Sequence, residues 1–583
     1  MLSLLLTMAI ASPFHKWAET PPMGWNSWDC FGTGVTEAQT LENARYMASH
    51  LKKHGWKVVT VDIDWFAPGA SGWDYVADRE LSLDGYGRVL PAPDRFPSGF
   101  KALASEIHGM GLRFGVHLLR GIPRKAVERN LPILGTSLHA GDIADKADVC
   151  RWNPDMYGVD MSKPGAQAYY DSLFKLLAEW GIDFVKVDDL STPYHKAEIE
   201  GIRRAIDKCG RPMVFSTSPG PTGLEHGSDI VANANMWRIS DDFWDSWGAL
   251  KEQFERVDKW TPFRGPGHWP DADMLPLGAV RQGQKNDWTN FTHDEQTTMM
   301  SLWCIARSPL ILGGHLPRND AFTLSLLTND EVLAVNQRSS GNRQLWRKGD
   351  LVAWVAVVPG SRDKYLALFN ASDQKRLDPS RATFQSGIVG RSGPVSIDVA
   401  VDGARKLWLY VSDAGDGNFA DHAVWSEPTL VFDGETRRLT SLKWDSATQG
   451  YGVAAVDRSV VGKPLILDGK PVPFGIGTHA SSMIVYTLPE GVKRFRATAG
   501  LEHEGAILNG GGTLKFMVFT QDPMAGSSDA AVPVACSLSE LGFSGTARVR
   551  DLWSRKDLGA FTGEFAPSIP WHGSGLYRVS AAR

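Results

Sequence analysis

The amino-acid sequence predicts an α/β fold: a (β/α)8 barrel over residues 20–335, followed by antiparallel β structure toward residue 583. Three observations predict it. Between residues 20 and 330, short apolar runs alternate with helical patterns, as parallel strands joined by helices require. Eight strand-like runs can be counted there, which favours a closed barrel over a doubly wound sheet. After residue 340, runs of Val, Trp, Leu and Tyr alternate instead with Gly, Pro, Asp and Asn turns.

The predicted elements follow in chain order. Met23-Gly24-Trp25 opens the barrel, and a helical pattern covers Thr36–His54. The apolar run Lys57–Asp62 is the second strand, and Gly99–Gly109 reads as a helix. Leu112–Leu118 is the third strand, followed by a helix over Gly165–Trp180. Asp183–Val187 is the fourth, with a helix over Lys196–Lys208. Pro212–Ser216 and Met236–Ile239 are the fifth and sixth. The seventh falls near Gly265–Met274, a helix spans His293–Arg307, and Pro309–Leu312 is the eighth strand.

The 583 residues exceed one ordinary domain. Apolar residues are 43% and charged residues 22%, so packed cores are expected. The net charge is −5 and no basic stripe occurs, which argues against nucleic acid as a partner. Twenty-two tryptophans suit a protein that handles sugar rings; the alternative is that they fill cores. Five cysteines stand far apart without a CxxC, so neither a disulfide scaffold nor structural zinc is expected. Met1–Ser12 is a short apolar stretch ending in Ala9-x-Ala11, similar to a signal peptide without its positive start. That reading implies a secreted or periplasmic protein. No later stretch is apolar for long enough to span a membrane, and no membrane partner is expected.

Acidic residues gather where the predicted strands end: Asp62 and Asp64, Asp188 and Asp189, Asp241 and Asp242, Asp271 and Asp273. In such barrels the C-terminal strand ends face the active site. A single aspartate after a strand is usually a helix N-cap. Four acidic strand ends are hard to explain as caps alone. Convergent carboxylates without a His/Cys ligand cluster suit acid/base and nucleophilic work, as in sugar cleavage, with no metal and no cofactor.

At these strand ends the sequence resembles glycoside hydrolase family 27, the α-galactosidase family. The matching segments are Pro22-Met23-Gly24-Trp25-Asn26-Ser27-Trp28, Phe184-Val185-Lys186-Val187-Asp188, Trp237-Arg238-Ile239-Ser240-Asp241-Asp242 and Gly265 through Leu275. The resemblance implies a retaining exo-glycosidase with Asp188 as nucleophile and Asp242 as general acid/base. Asp188 must be ionised to attack the anomeric carbon, while Asp242 must hold a proton for the leaving oxygen. Their environments should push their pKa values apart. Retention implies carboxyl groups roughly 5–5.5 Å apart. Lys186, two residues before Asp188 on a strand, points to the same side and favours the carboxylate. By the same resemblance Trp28 is the aromatic wall of a sugar pocket, Asp62 and Asp273 accept sugar hydroxyls, Arg238 donates to the sugar, and Trp65 adds to the wall.

The sequence departs from the family pattern in places. Typical α-galactosidases end the second strand with two aspartates, one for the 6-hydroxyl. Here Ile63 follows Asp62 and can accept no hydrogen bond. β-L-Arabinopyranose is α-D-galactopyranose without the C5 hydroxymethyl group, and the β-L-arabinopyranosidases of this family carry isoleucine here. The stretch Arg120–Tyr157 also resembles their insertion. Ser218 stands where typical α-galactosidases have a glutamate for the 2-hydroxyl, which is similar to α-N-acetylgalactosaminidases. His117 replaces a frequent Tyr and either touches the sugar or the nucleophile, or is a core histidine. Leu190 and Asp64 replace disulfide cysteines of the family. The expected substrate is therefore a plant-type oligo- or polysaccharide ending in galactose or arabinopyranose.

The family's small antiparallel β domain is expected in two halves, residues 340–375 and 531–583. Residues 376–530 between them resemble an inserted β-sandwich carbohydrate-binding module of the novel putative type, through Leu442-Lys443-Trp444 and Gly475–Ala480. Its Asp-rich segment comes early, as in a circular permutation. A spacer sandwich without ligand is the alternative. Asp413, Asp416, Asn418 and Asp421 offer hard oxygens for Ca2+, or form an ordinary Asp/Gly-rich turn.

Overall fold

The computed structural model describes residues 12–73, 75–76, 78–284, 287–372, 377–390, 393–508, 511–524 and 531–582. The expected leader over Met1–Ser12 thus lies, but for Ser12, outside the described residues. Residues up to 372 and 532–583 form one compact unit, and residues 373–531 form a second.

The first unit begins with eight parallel strands: β1 Met23–Asn26, β2 Val58–Val61, β3 Arg113–Leu119, β4 Phe184–Asp188, β5 Val214–Thr217, β6 Met236–Arg238, β7 Trp269–Asp271 and β8 Leu310–Leu312. The spatial order is β7-β6-β5-β4-β3-β2-β1-β8. A parallel bridge between Leu275 and Leu312 closes the ring. The strands are buried on both faces, which is why they read as apolar runs rather than alternating patterns. Because all run the same way, their C-terminal ends and the aspartates there share one mouth.

Each helix starts or stops where its sequence dictates. Helix α1, Glu37–Tyr46, opens on a Thr36–Gln39 capping box, and α2 is Gly99–Gly109. Helix α3, Ala166–Trp180, buries Tyr169, Tyr170, Leu173, Phe174 and Leu177, spaced to share one face. It ends at Gly181, whose left-handed backbone caps the last carbonyls. Helix α4 is Lys196–Lys208, and α5, Trp247–Lys259, is capped by Ser246. Helix α6, His293–Ala306, opens on a Thr292–Glu295 capping box. Between β3 and α3 the insertion folds into three short antiparallel strands, with Met156–Val159 between Ile122–Pro123 and Ala144–Val149.

After the barrel comes a six-stranded antiparallel sheet: β9 Ser340–Lys348, β10 Leu351–Val357, β11 Lys364–Asn370, β12 Thr546–Asp551, β13 Lys556–Thr562 and β14 Ser574–Ala581. Its order is β9-β10-β11-β14-β12-β13, so residues far apart in sequence become neighbours. Strand β10 shows why its run is continuously apolar. Val352, Trp354 and Ala356 join the barrel-side core, while Ala353 and Val355 join the sheet's other core. Trp553 donates to Ser301 at 2.9 Å, and Asn329 to the Leu552 carbonyl at 2.9 Å, tying sheet to barrel.

The second unit is a β-sandwich. One sheet of five strands and one of six share a core that includes Trp425, Tyr486, Phe495 and Phe516. All five cysteines of the chain are buried and free. No helix among the described residues is long and apolar enough to cross a membrane.

Candidate active site at the mouth of the barrel

Strand β4 delivers Lys186 and Asp188 to the same side, as alternation demands. The Lys186 ammonium lies 3.7 Å from an Asp188 oxygen and 3.1 Å from an Asp62 oxygen at the end of β2. His117 of β3 pairs in register with Lys186, and its Nε2 lies 3.0 Å from Asp188 Oδ2. Asn26 donates to Asp62 Oδ2 at 2.7 Å, and the Asp62 amide donates to Ser27 Oγ at 2.9 Å. At the end of β6, Arg238 lies 2.9 Å from Asp273 and 3.2 Å from Asp242. Asp273 also accepts the Phe243 amide at 2.7 Å.

Of these, Asp62, Lys186, Asp188, Arg238, Asp242 and Asp273 border a cavity of about 550 Å3. Burial pushes the Asp188 carboxyl upward, but Lys186 and His117 outweigh it and hold the group well below the usual carboxylate range. Asp62 is also lowered, with burial opposed by Lys186 and His117. Other carboxyls go the opposite way. Burial and Asp273 push Asp271 up to about 7. Burial, then Asp273 and Asp242, raise Asp29 well above the usual range. Asp29 reaches the cavity because Gly313 has no side chain: a Cβ there would sit 1.8 Å from Asp29 Oδ2. The floor thus holds two carboxyls kept low, Asp188 and Asp62, beside Asp29, which is pushed up, while the Asp242 side chain is 56% exposed at the rim.

The structure brings Trp28, Asp62, Lys186, Asp188, Arg238, Asp242 and Asp273 together around this cavity. Four expected residues stand behind it. Trp65 does not add to the wall. Asp64 takes a left-handed backbone (φ 65°), and Trp65 is fully buried, packed edge-on to Phe66 and Trp180 and donating to the His117 carbonyl at 2.6 Å. Ile63 is buried behind Asp62 and does not border the cavity. Ser218 faces a small cavity of about 20 Å3, 3.5 Å from Arg238 Nη1. His117 is fully buried and meets the Asp188 carboxylate, not the open space.

The residues that sequence reasoning missed are Asp29, Tyr75, Trp152 and Trp244, which also line the cavity. All but Asp29 come from loops without periodic pattern. A second cluster, half-buried Asp148 and His195 with buried Glu198, has metal-ligand spacing. The Arg120 guanidinium already fills it, 2.8 Å from Asp148, 2.7 Å from Glu198 and 2.8 Å from Asp189. In the sandwich, Asp413, Asp416 and Asp421 do not bring their oxygens together as a ligand set. Asp413 accepts the Gly415 amide, Asp416 the Thr513 hydroxyl, and Asp421 the Thr513 amide, as in a hydrogen-bonded turn.

Residues 20–129 and 138–338 match the sequence profile of the family described as α-galactosidase A. The chain belongs to glycoside hydrolase family 27. Residues 507–579 match the α-galactosidase C-terminal β-sandwich domain, and residues 376–431 and 435–532 match the NPCBM/NEW2 domain, a carbohydrate-binding domain. The family 27 β-L-arabinopyranosidase of Geobacillus stearothermophilus is 38% identical. It covers 98% of each chain with a TM-score of 0.69, and a variant of it has been solved with arabinose bound. The α-galactosidase of Oryza sativa is 26% identical over 408 residues, 69% of this chain and 81% of that one. The α-N-acetylgalactosaminidase of Gallus gallus is 28% identical over 357 residues, 57% of this chain and 74% of that one. This chain is accordingly a glycoside hydrolase of the α-galactosidase family, whose members retain the anomeric configuration.

Proposed function

We propose that this family 27 enzyme removes terminal β-L-arabinopyranose, and less readily terminal α-D-galactopyranose, by double displacement on Asp188 and Asp242. The observation that carries the chemistry is an Asp188 carboxylate held ionised by Lys186 and His117 beneath a solvent-reached Asp242. In the first step an Asp188 oxygen bonds to the anomeric carbon, the bond to the leaving oxygen breaks, and the Asp242 proton goes to that oxygen. In the second, water attacks the same carbon, Asp242 takes its proton, and the ester to Asp188 is broken. Asp62, Lys186, Arg238 and Asp273 hold sugar hydroxyls, and Trp28 faces the ring.

The sugar preference rests on Ile63. It acts by what it does not supply: no carboxylate meets a 6-hydroxyl beside Asp62. Leaving that hydroxyl unpaired costs about 1–3 kcal/mol, or roughly ten- to a hundredfold in rate. The 38% identical arabinopyranosidase supports this reading; the curated α-galactosidases, at 26–29% identity, support galactose as the second. An α-N-acetylgalactosaminidase ranks third, because Ser218 does not border the main cavity. The test compares p-nitrophenyl β-L-arabinopyranoside with p-nitrophenyl α-D-galactoside. Wild type should prefer the pentose, and Ile63→Asp should shift the ratio toward galactose. A wild type that favours the galactoside by a wide margin ends the Ile63 argument.

The substrate in this reading is a plant-type oligo- or polysaccharide, and the inserted sandwich holds it near the enzyme. Phe419 and Tyr451 of that sandwich are 70% and 57% exposed, as ring faces for sugars need to be. Deleting residues 376–530 should abolish retention on arabinogalactan; unchanged retention removes the module from the proposal.

A further inference from the structure

We propose that the outer half of the catalytic cavity is a leaving-group subsite, in which Trp152, Tyr75 and Trp244 hold a second sugar ring by its apolar face. This rests on the roles given above to Asp188 and Asp242.

The cavity has two chemically different ends. Side chains at the inner end are closed in: Asp62 is 2% exposed, Asp273 5% and Asp188 9%. Lys186 and Arg238, the only cations bordering the cavity among the described residues, belong to that end. Asp242 lies at the open rim. The bond that breaks must lie between the carboxylate that takes the anomeric carbon and the acid that protonates the leaving oxygen. The departing group therefore extends past Asp242 toward the rim, where the lining is aromatic.

The Trp152, Tyr75 and Trp244 rings join through Trp28 and Trp73 into a continuous belt. Trp152 lies 5.3 Å from Tyr75, Tyr75 lies parallel to Trp28 at 6.1 Å, Trp28 meets Trp73 at 5.5 Å, and Trp73 meets Trp244 at 5.9 Å. The belt runs from the insertion, which supplies Trp152, to the segment that carries Asp242. Its ends are anchored before any ligand arrives. The Arg281 guanidinium sits 5.6 Å from the Trp244 ring and is gripped by Asp245 at 2.8 and 2.6 Å. Arg79, in the Tyr75 loop, pairs with Asp64 at 2.9 Å, and Asn153, next to Trp152, reaches the other Asp64 oxygen at 3.4 Å. Pre-set rings lose little entropy on binding. Thr192, Pro219 and Gly220, with Asp241 beside Gly220, also line the cavity. With the Arg281 guanidinium behind Trp244 taken up by Asp245, the belt offers ring faces, and these select a flat apolar face. A pyranose offers such a face, and so does an aryl group.

The experiment uses three substrates with one glycone, whichever of the two pyranosides the enzyme cleaves faster. The leaving groups are fluoride, p-nitrophenolate and a second pyranose. Fluoride has no ring to stack, so it reports the inner end alone. Trp152→Ala and Trp244→Ala should each lower the ratio of kcat/KM on the disaccharide to kcat/KM on the fluoride by about tenfold or more. Trp152→Phe, which restores a ring, should recover most of that ratio. An unchanged ratio, or equal losses on all three substrates, overturns the subsite, since the rings would then serve the glycone or the fold. A fall on the p-nitrophenyl substrate alone makes the occupant aryl and overturns the sugar-ring assignment. A wild type that cleaves none of the three, fluoride included, would instead refute the reading of Asp188 and Asp242 on which the subsite rests.

Discussion

Replacing Lys186 by methionine should move the acid limb of the pH profile upward. Lys186 Nζ lies 3.7 Å from Asp188 Oδ2 and 3.1 Å from Asp62 Oδ2. Coulomb's law at 3.7 Å and an effective dielectric of about 20 gives about 4.5 kcal/mol, or about three pK units. Water in the cavity screens part of this, and His117 stays in place, so the expected rise is about one to two units. Asp188 is held low in the folded enzyme and must be ionised to act; without the ammonium, burial is less opposed and the carboxylate protonates at higher pH. The assay is kcat/KM on a p-nitrophenyl pyranoside across the acid range, which reports the free enzyme's essential base. Lys186→Arg should keep the limb near its wild-type position. A lower plateau with an unmoved limb would show that Lys186 only binds substrate and does not set the state of the nucleophile.

Other outcomes follow from the same contacts. Asp271→Asn should flatten the pH dependence of stability. The folded carboxyl, pushed up to about 7, keeps a proton that the unfolded chain loses near pH 4, so wild-type stability falls as pH rises through about 7. The variant avoids a loss on the order of 4 kcal/mol, read as Tm between pH 4 and 8. Arg120→Met should destabilise by about 3–5 kcal/mol, because Asp148, Asp189 and Glu198 lose the cation at their centre; denaturant unfolding measures it. Trp65→Ala should cost about 3–5 kcal/mol of stability, since Trp65 is core. Asp242→Ala should lose far more rate on a disaccharide than on a p-nitrophenyl substrate, and azide should accelerate it to a product of retained configuration.

The sequence made the barrel legible because each of its strands is buried on both faces and so appears as an apolar run. Strand β10 was legible for a related reason, with two cores competing for alternate residues. The charged end of the site could also be read, because Asp62, Asp188 and Asp273 sit at or beside strand ends, where backbone direction fixes the side chain. What could not be read lies one turn further on. The left-handed Asp64 reverses the chain, so Trp65, three residues after Asp62, points into the core. Tyr75, Trp152 and Trp244 come from loops with no repeat to mark them, and only tertiary folding brings their rings together. Asp29 reads like a helix-start aspartate, and its raised pKa arises from burial and neighbours that the local sequence does not reveal. Ile63 could be read as a chemical difference but not as a position: it is behind the wall rather than in it.

Chemical rescue tests directly whether Asp188 attacks the anomeric carbon. Asp188→Ala should be inactive on a p-nitrophenyl pyranoside, and azide should restore turnover by entering the space of the missing carboxylate. Proton NMR of the glycosyl azide should show inverted anomeric configuration, because one displacement then replaces two. Undiminished hydrolysis by Asp188→Ala, or a rescued azide of retained configuration, would contradict the assignment of Asp188 as the nucleophile.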